Sequence, residues 1–126
     1  MHKSRIYSSV FKSKGVELVL QKGEYLFNKG DKPQYVYYIR SGIIKLTGNG
    51  ISNKSDIIIE SEQFIGIKEM FINKEYQLSA LVIESTEVIA VSKKEFFDTI
   101  NENPKLRLTL MQFLSCQFDK VNSSYE

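Results

Sequence analysis

The sequence is short of nearly every residue that builds chemistry from side chains alone. There is one cysteine, Cys116, so no internal disulfide can close and no thiol cluster can hold a metal. A lone cysteine on an apolar helix packs as a small hydrophobe, or else acts as a thiol that senses oxidants or pairs across a dimer. There is one histidine, His2, close to the N-terminus. With no nucleophile and base at a useful spacing, the chain is not expected to be an enzyme. No apolar run approaches the roughly 18 residues of a membrane span. The opening stretch MHKSRIYSSVFKSKG is basic but has no apolar signal core, so the expected location is cytoplasmic. Without a secretion signal the sequons at Asn53 and Asn122 carry no weight. Charge of one sign is also scarce, because 17 basic and 15 acidic residues leave a net +2. Nucleic-acid binding shows as a clustered basic face, which that balance does not indicate.

What remains is an ordinary globular composition, 42% apolar and 25% charged over 126 residues. That length suits one domain. From Val16 to Val91 the chain alternates short β-branched or aromatic runs with Gly, Asn, Asp and Pro. Strands are expected at Glu24 to Phe27, Tyr35 to Arg40, Ile43 to Thr47 and Asp56 to Ile59, with a hairpin formed by Gln77 to Ile83 and Glu87 to Val91. Turns are expected at Gly30-Asp31 with Pro33, at Ser41-Gly42 and at Asn49-Gly50. Turns this dense favour a mainly β fold, a small antiparallel barrel or roll, over a parallel sheet. Arg40 and Lys45 alternate with apolar neighbours and are expected to face water.

The last third is helical in character. Ser92 and Glu95 form a capping box that predicts a helix from Lys93 to about Asn101. Pro104 opens a second, long helix, on which Met111, Leu114, Phe118 and Val121 step by three, four and three. This seam is the candidate homodimer interface; the alternative is a helix buried within its own domain. The predicted organisation is a single domain: an N-terminal segment at 1–14, a roll at 15–91 and a helical part at 92–122.

The stretch KGEYLFNKGDKPQYVYYIRSGIIKL, residues 22 to 46, resembles the cyclic-nucleotide-binding domain family, in particular the sensor halves of CRP/FNR-type transcription regulators. The resemblance rests on Gly23-Glu24, Leu26-Phe27, Gly30-Asp31, Val36 to Ile39, Gly42 and Ile44-Lys45-Leu46, and covers about residues 15 to 122. It implies an antiparallel β-roll or jelly-roll of the cupin-like double-stranded kind followed by two helices, the last long, and a phosphate cradle at EQFIGIKEMFINKEYQLSALV, residues 62 to 82. Such a cradle uses backbone N–H groups at a short helix, a forked arginine and a hydroxyl, with a glutamate for the ribose. The resemblance places Gly66, Ile67, Lys68, Glu69, Leu78, Ser79 and Ala80 at the candidate ligand site. Ile67 stands where the glutamate belongs, Glu69 comes two residues late, and Leu78 replaces the arginine.

Loss of one partner from a desolvated charge pair costs about 2–5 kcal/mol. Cyclic nucleotide is therefore not expected to bind in the usual way. Lys68 or Lys74 offers a substitute charge, but lysine is a mobile point charge and a poorer fork. An effector pocket lined by Tyr76, Phe71, Phe64 and Met70 is one reading, and ordinary core packing of the same residues is the other. The implied function is effector sensing within a regulator, responding to another small molecule or unliganded; the alternative is a dimerisation module with a ligand-free roll. No cofactor or metal is implied. DNA would be reached only through a helix-turn-helix domain, which is not expected within these 126 residues.

Overall fold

The computed structural model describes residues 10–48, 56–72, 74–108 and 110–112. Six strands form one antiparallel system: β1 (Val16–Leu20), β2 (Tyr25–Phe27), β3 (Tyr35–Thr47), β4 (Ile57–Glu60), β5 (Gln63–Ile65) and β6 (Ser79–Ser92). The spatial order is β1-β6-β3-β4, with β2 also pairing β6 and β5 also pairing β3. A short helix, α1 (Ile67–Ile72), lies between β5 and β6, and α2 (Lys93–Glu102) follows β6.

Two long strands make the roll. The first half of β3 pairs β5 through Tyr37 to Ile39, and its second half pairs β4 through Ile43 to Leu46. β6 likewise pairs β2 at its start and β1 further on. Between Ile39 and Ile44 the β3–β6 register shifts repeatedly. Such bulges bend both strands together, so each contributes to two faces. Two expectations are corrected here. The expected turn at Ser41-Gly42 is a bulge inside a continuous 13-residue strand. The expected hairpin of Gln77 to Ile83 and Glu87 to Val91 is one 14-residue strand. Gly42, at φ +107°, is the pivot of that bend.

Alternation along the strands divides the core in two. Val36, Tyr38, Ile89 and Val91 face Phe11, Ile67, Met70, Phe96, Ile100, Leu106 and Leu110, so one cluster glues the sheet to the helices. Tyr37, Ile39, Val82, Val88 and Ala90 face Phe27, Ile44, Ile65, Tyr76 and Ala80 in the interior of the roll. In the first cluster Phe11 stacks on Phe96, with ring centroids 5.6 Å apart.

The helical part begins as the sequence predicts. The Ser92 hydroxyl accepts the Glu95 N–H at 3.2 Å, and α2 runs one residue past the expected end. Helical turns resume at 104–108 and 110–112. Leu106 and Leu110 are buried while Met111 is 61% exposed. Leu114, Phe118 and Val121 lie outside the described residues, as does the expected Asn49-Gly50 turn. The two strand cations are less solvated than expected: Arg40 pairs with Glu17, and Lys45, with its side chain 18% exposed, stands 3.9 Å from Asp56. Among the described residues no helix is long and apolar enough to cross a membrane, and no three His, Cys, Asp or Glu side chains cluster to hold a metal.

Candidate functional site

The segment between β5 and β6 closes the interior of the roll, and its local geometry starts at Gly66. That residue has φ +96°, and a Cβ there would lie 3.1 Å from the Tyr35 carbonyl oxygen and 3.2 Å from the Tyr76 hydroxyl oxygen. Glycine is needed both for the left-handed backbone and for the close approach of Tyr76. The Tyr76 hydroxyl donates to the Tyr35 carbonyl at 3.4 Å, and its ring stacks on Phe27 with centroids 3.7 Å apart. Backbone pairing holds Tyr76 in place, since its N–H donates to the Asp31 carbonyl at 3.0 Å and its carbonyl accepts the Gly30 N–H at 2.9 Å. Burial pushes the Tyr76 hydroxyl well above the ordinary tyrosine pKa of 10.0, and the fields of Tyr37, Glu69 and Asp31 push it further. Burial raises Tyr37 as well, with Tyr35 and Asp31 adding to it.

The residues named from the sequence fall in different environments. Ile67 is 3% exposed and packs in the cluster beneath the helices, so its side chain faces away from the roll interior. Lys68 and Lys74 are exposed, and Glu69 is half-buried. Leu78 is half-buried, with its Cδ2 3.8 Å from the point a Cβ would take on Gly48. Ser79 pairs with Thr47 across β6 and β3, and its hydroxyl accepts the Lys29 N–H at 2.8 Å. Ala80 is fully buried in the roll interior, in the same cluster as Tyr76. The structure therefore brings Gly66, Tyr76 and Ala80 to one place and sends Ile67 to the other side of the sheet. Of the four expected lining residues, Phe64 and Met70 are core, Phe71 is 53% exposed, and Tyr76 lines the pocket described next.

That pocket, about 280 Å³, lies beside the candidate cradle and is lined by Leu26, Phe27, Asp31, Lys32, Gln34, Tyr35, Tyr37 and Tyr76. Sequence reasoning treated residues 26 to 37 as turn and strand architecture and missed them as a lining. The available signal was Tyr35 and Tyr37, two residues apart and hence on one strand face, immediately after a turn with opposite charges at Asp31 and Lys32.

One polar atom near the cradle stands out. Thr47 is fully buried next to Ser79, and its hydroxyl makes no hydrogen bond among the described residues. An unpaired buried hydroxyl costs about 1–3 kcal/mol. Thr47→Val, nearly equal in shape, is expected to raise the urea midpoint; a fall in that midpoint would show that the hydroxyl has a partner.

Residues 17–103 match the model of the family described as the cyclic nucleotide-binding domain. The chain belongs to the cyclic nucleotide-binding domain family. It is 29% identical over 108 residues to the anaerobic regulatory protein of Bacillus subtilis, covering 82% of this chain and 45% of that protein. It is 31% identical over 99 residues to the transcriptional activator protein Anr of Pseudomonas aeruginosa, covering 76% of this chain and 40% of that one. The cyclic nucleotide-binding domain described here thus spans less than half the length of these curated relatives. Among solved structures it is similar to the Thermus thermophilus catabolite activator protein, with a TM-score of 0.75, 19% identity, and 96% of this chain and 57% of that one covered. The relatives are CRP/FNR-type regulators, and the β-roll with C-terminal helices is the fold of this domain family.

Proposed function

We propose that this domain is the effector-sensing part of a CRP/FNR-type transcription regulator and that it does not hold a cyclic nucleotide in the way the resemblance implies. The observation that carries this reading is the replacement of polar anchors by packed apolar groups. Leu78 stands at the arginine position, Ile67 is turned into the core, and Tyr76 packs against Gly66 where the cradle begins. A cyclic phosphate placed there would meet aliphatic and aromatic surface, with Lys68 exposed to solvent. In this reading a different small molecule, or none, sets the state of the roll. The change would pass to the C-terminal helix, whose Met111, Leu114, Phe118 and Val121 form the homodimer seam. DNA contact would belong to a helix-turn-helix unit outside these residues, and the expected compartment is the cytoplasm.

One observation favours the second reading, a dimerisation scaffold with a ligand-free roll. The interior beside Gly66 and Ala80 is filled by the Phe27–Tyr76 stack. The pocket that those rings border favours the sensor.

A thermal-shift measurement tests the loss of nucleotide chemistry. A ligand at a hundred times its Kd stabilises by about 2.7 kcal/mol, which at about 3–6 °C per kcal/mol moves Tm by roughly 8–16 °C in a domain near this size. Cyclic AMP and cyclic GMP at about 1 mM, the weak end of specific affinity, are expected to move Tm by less than about 1 °C. A shift of several degrees with either would overturn the proposal.

A further inference from the structure

The pocket beside the cradle combines aromatic walls with a carboxylate. Tyr35 and Tyr37 stand on one face of β3 with ring centroids 6.2 Å apart, and Phe27 lies 6.0 Å from Tyr37. Tyr76 completes the lining, and Tyr35, 40% exposed, stands at the mouth. Asp31 is exposed on the same lining, with one carboxylate oxygen accepting the Asn28 N–H at 3.0 Å. Among the described residues Asp31 forms no ion pair within 4.0 Å.

We propose that this pocket binds a small organic cation, an alkyl or aryl ammonium, which rests its charge on the tyrosine faces and beside the Asp31 carboxylate. The proposal rests on the reading of the domain as a sensor without its nucleotide chemistry, and it supplies the class of effector. Aromatic faces carry a negative quadrupole that attracts ammonium groups, most strongly where water is partly excluded. The volume of about 280 Å³ admits roughly nine non-hydrogen atoms, taking about 30 Å³ for each as in liquid water. The negative field of Asp31 reaches the hydroxyls of both Tyr37 and Tyr76, and that of Glu69 also reaches Tyr76. Lys32 is the opposing charge on the lining. It is exposed, on a mobile stem that can turn to water, whereas Asp31 is held by its turn.

Isothermal titration of the chain with butyltrimethylammonium, and with butanesulfonate as an anion of similar size, tests this. The cation is expected to saturate one site with a Kd below about 1 mM, and the sulfonate to bind at least about tenfold more weakly. Asp31→Asn keeps an oxygen for the Asn28 N–H and is expected to weaken the cation about tenfold or more. Tyr35→Leu, at the exposed mouth, is expected to do the same with an unchanged melting curve, which keeps the test independent of the Asp31 turn. Equal or tighter sulfonate binding, no saturation by the cation, or an Asp31→Asn affinity equal to wild type would each overturn the proposal. If the cation fails while cyclic nucleotides also fail, this inference falls and the sensor reading stands. Tight nucleotide binding would instead remove the reading that nucleotide chemistry is lost, on which this inference rests.

Discussion

A Gly42→Ala chain is expected to lose most of its folding stability. The residue has φ +107°, and a Cβ there would overlap the Thr86 hydroxyl and lie 2.6 Å from the Thr86 Cα and 2.7 Å from the Ser85 carbonyl oxygen. The backbone conformation alone costs a non-glycine residue about 1–2 kcal/mol. Forcing Thr86 away, itself fully buried and with its hydroxyl donating to the Glu84 carbonyl at 2.6 Å, adds an overpacking cost of about 1–3 kcal/mol. Together these approach the lower end of the about 5–15 kcal/mol that holds a domain folded. With a urea slope of about 1–3 kcal/mol per molar, the midpoint is expected to fall by more than about 1 M. Gly23→Ala is the control: its φ is +93° but a Cβ there meets nothing within 4 Å, so only the backbone cost applies. Equal losses at the two positions would refute the assignment of Gly42 as the pivot of the roll.

Tyr76 is expected to split sharply between its two obvious substitutions. Tyr76→Ala removes a ring that is 4% exposed and stacked on Phe27, and is expected to cost about 3–5 kcal/mol in urea melts near neutral pH, as for a buried phenylalanine. Tyr76→Phe loses only the long hydrogen bond to the Tyr35 carbonyl and is expected to cost about 1 kcal/mol or less. The pair separates again in alkali. In the unfolded chain the phenol ionises around its ordinary pKa of 10.0, whereas in the fold burial keeps it protonated to higher pH. The folded state then binds more protons than the unfolded one, so stability is fully present below that pH and falls as the pH rises above it. Tyr76→Phe is expected to flatten that fall, leaving the contribution of Tyr37, whose shift has the same direction. An alkaline slope unchanged by Tyr76→Phe would contradict a buried, neutral phenol.

Much of this architecture is legible in the chain, and two of the departures from expectation have one cause. Turn glycines at 23 and 30, the β-branched runs and the Ser92 cap each act locally, so local reading finds them. Gly42 looks the same in sequence but serves a bulge between two long strands. A bulge and a turn both need a left-handed residue, and only the partner strand, forty residues away, decides between them. For the same reason β6 reads as a hairpin, because Glu84 to Glu87 is polar where the strand bends past Gly42.

The candidate site was legible as a list of replacements and opaque as a shape. Leu78 at the arginine position is what the motif resemblance implies. That Ile67 turns beneath the helices while Tyr76 fills the interior depends on α1 packing into one core cluster and the segment after it into the other, and no periodicity within six helical residues encodes that. The pocket joins residues 26 to 37 with residue 76, a long-range juxtaposition made by the backbone bonds of Tyr76 to Gly30 and Asp31.

The central claim is that the missing arginine at Leu78, with Tyr76 packed beside Gly66, removes cyclic-nucleotide recognition. Its most direct test is calorimetric titration of the chain with cyclic AMP and with cyclic GMP. The account predicts no binding tighter than about 1 mM for either nucleotide, while a micromolar Kd for one of them would contradict it.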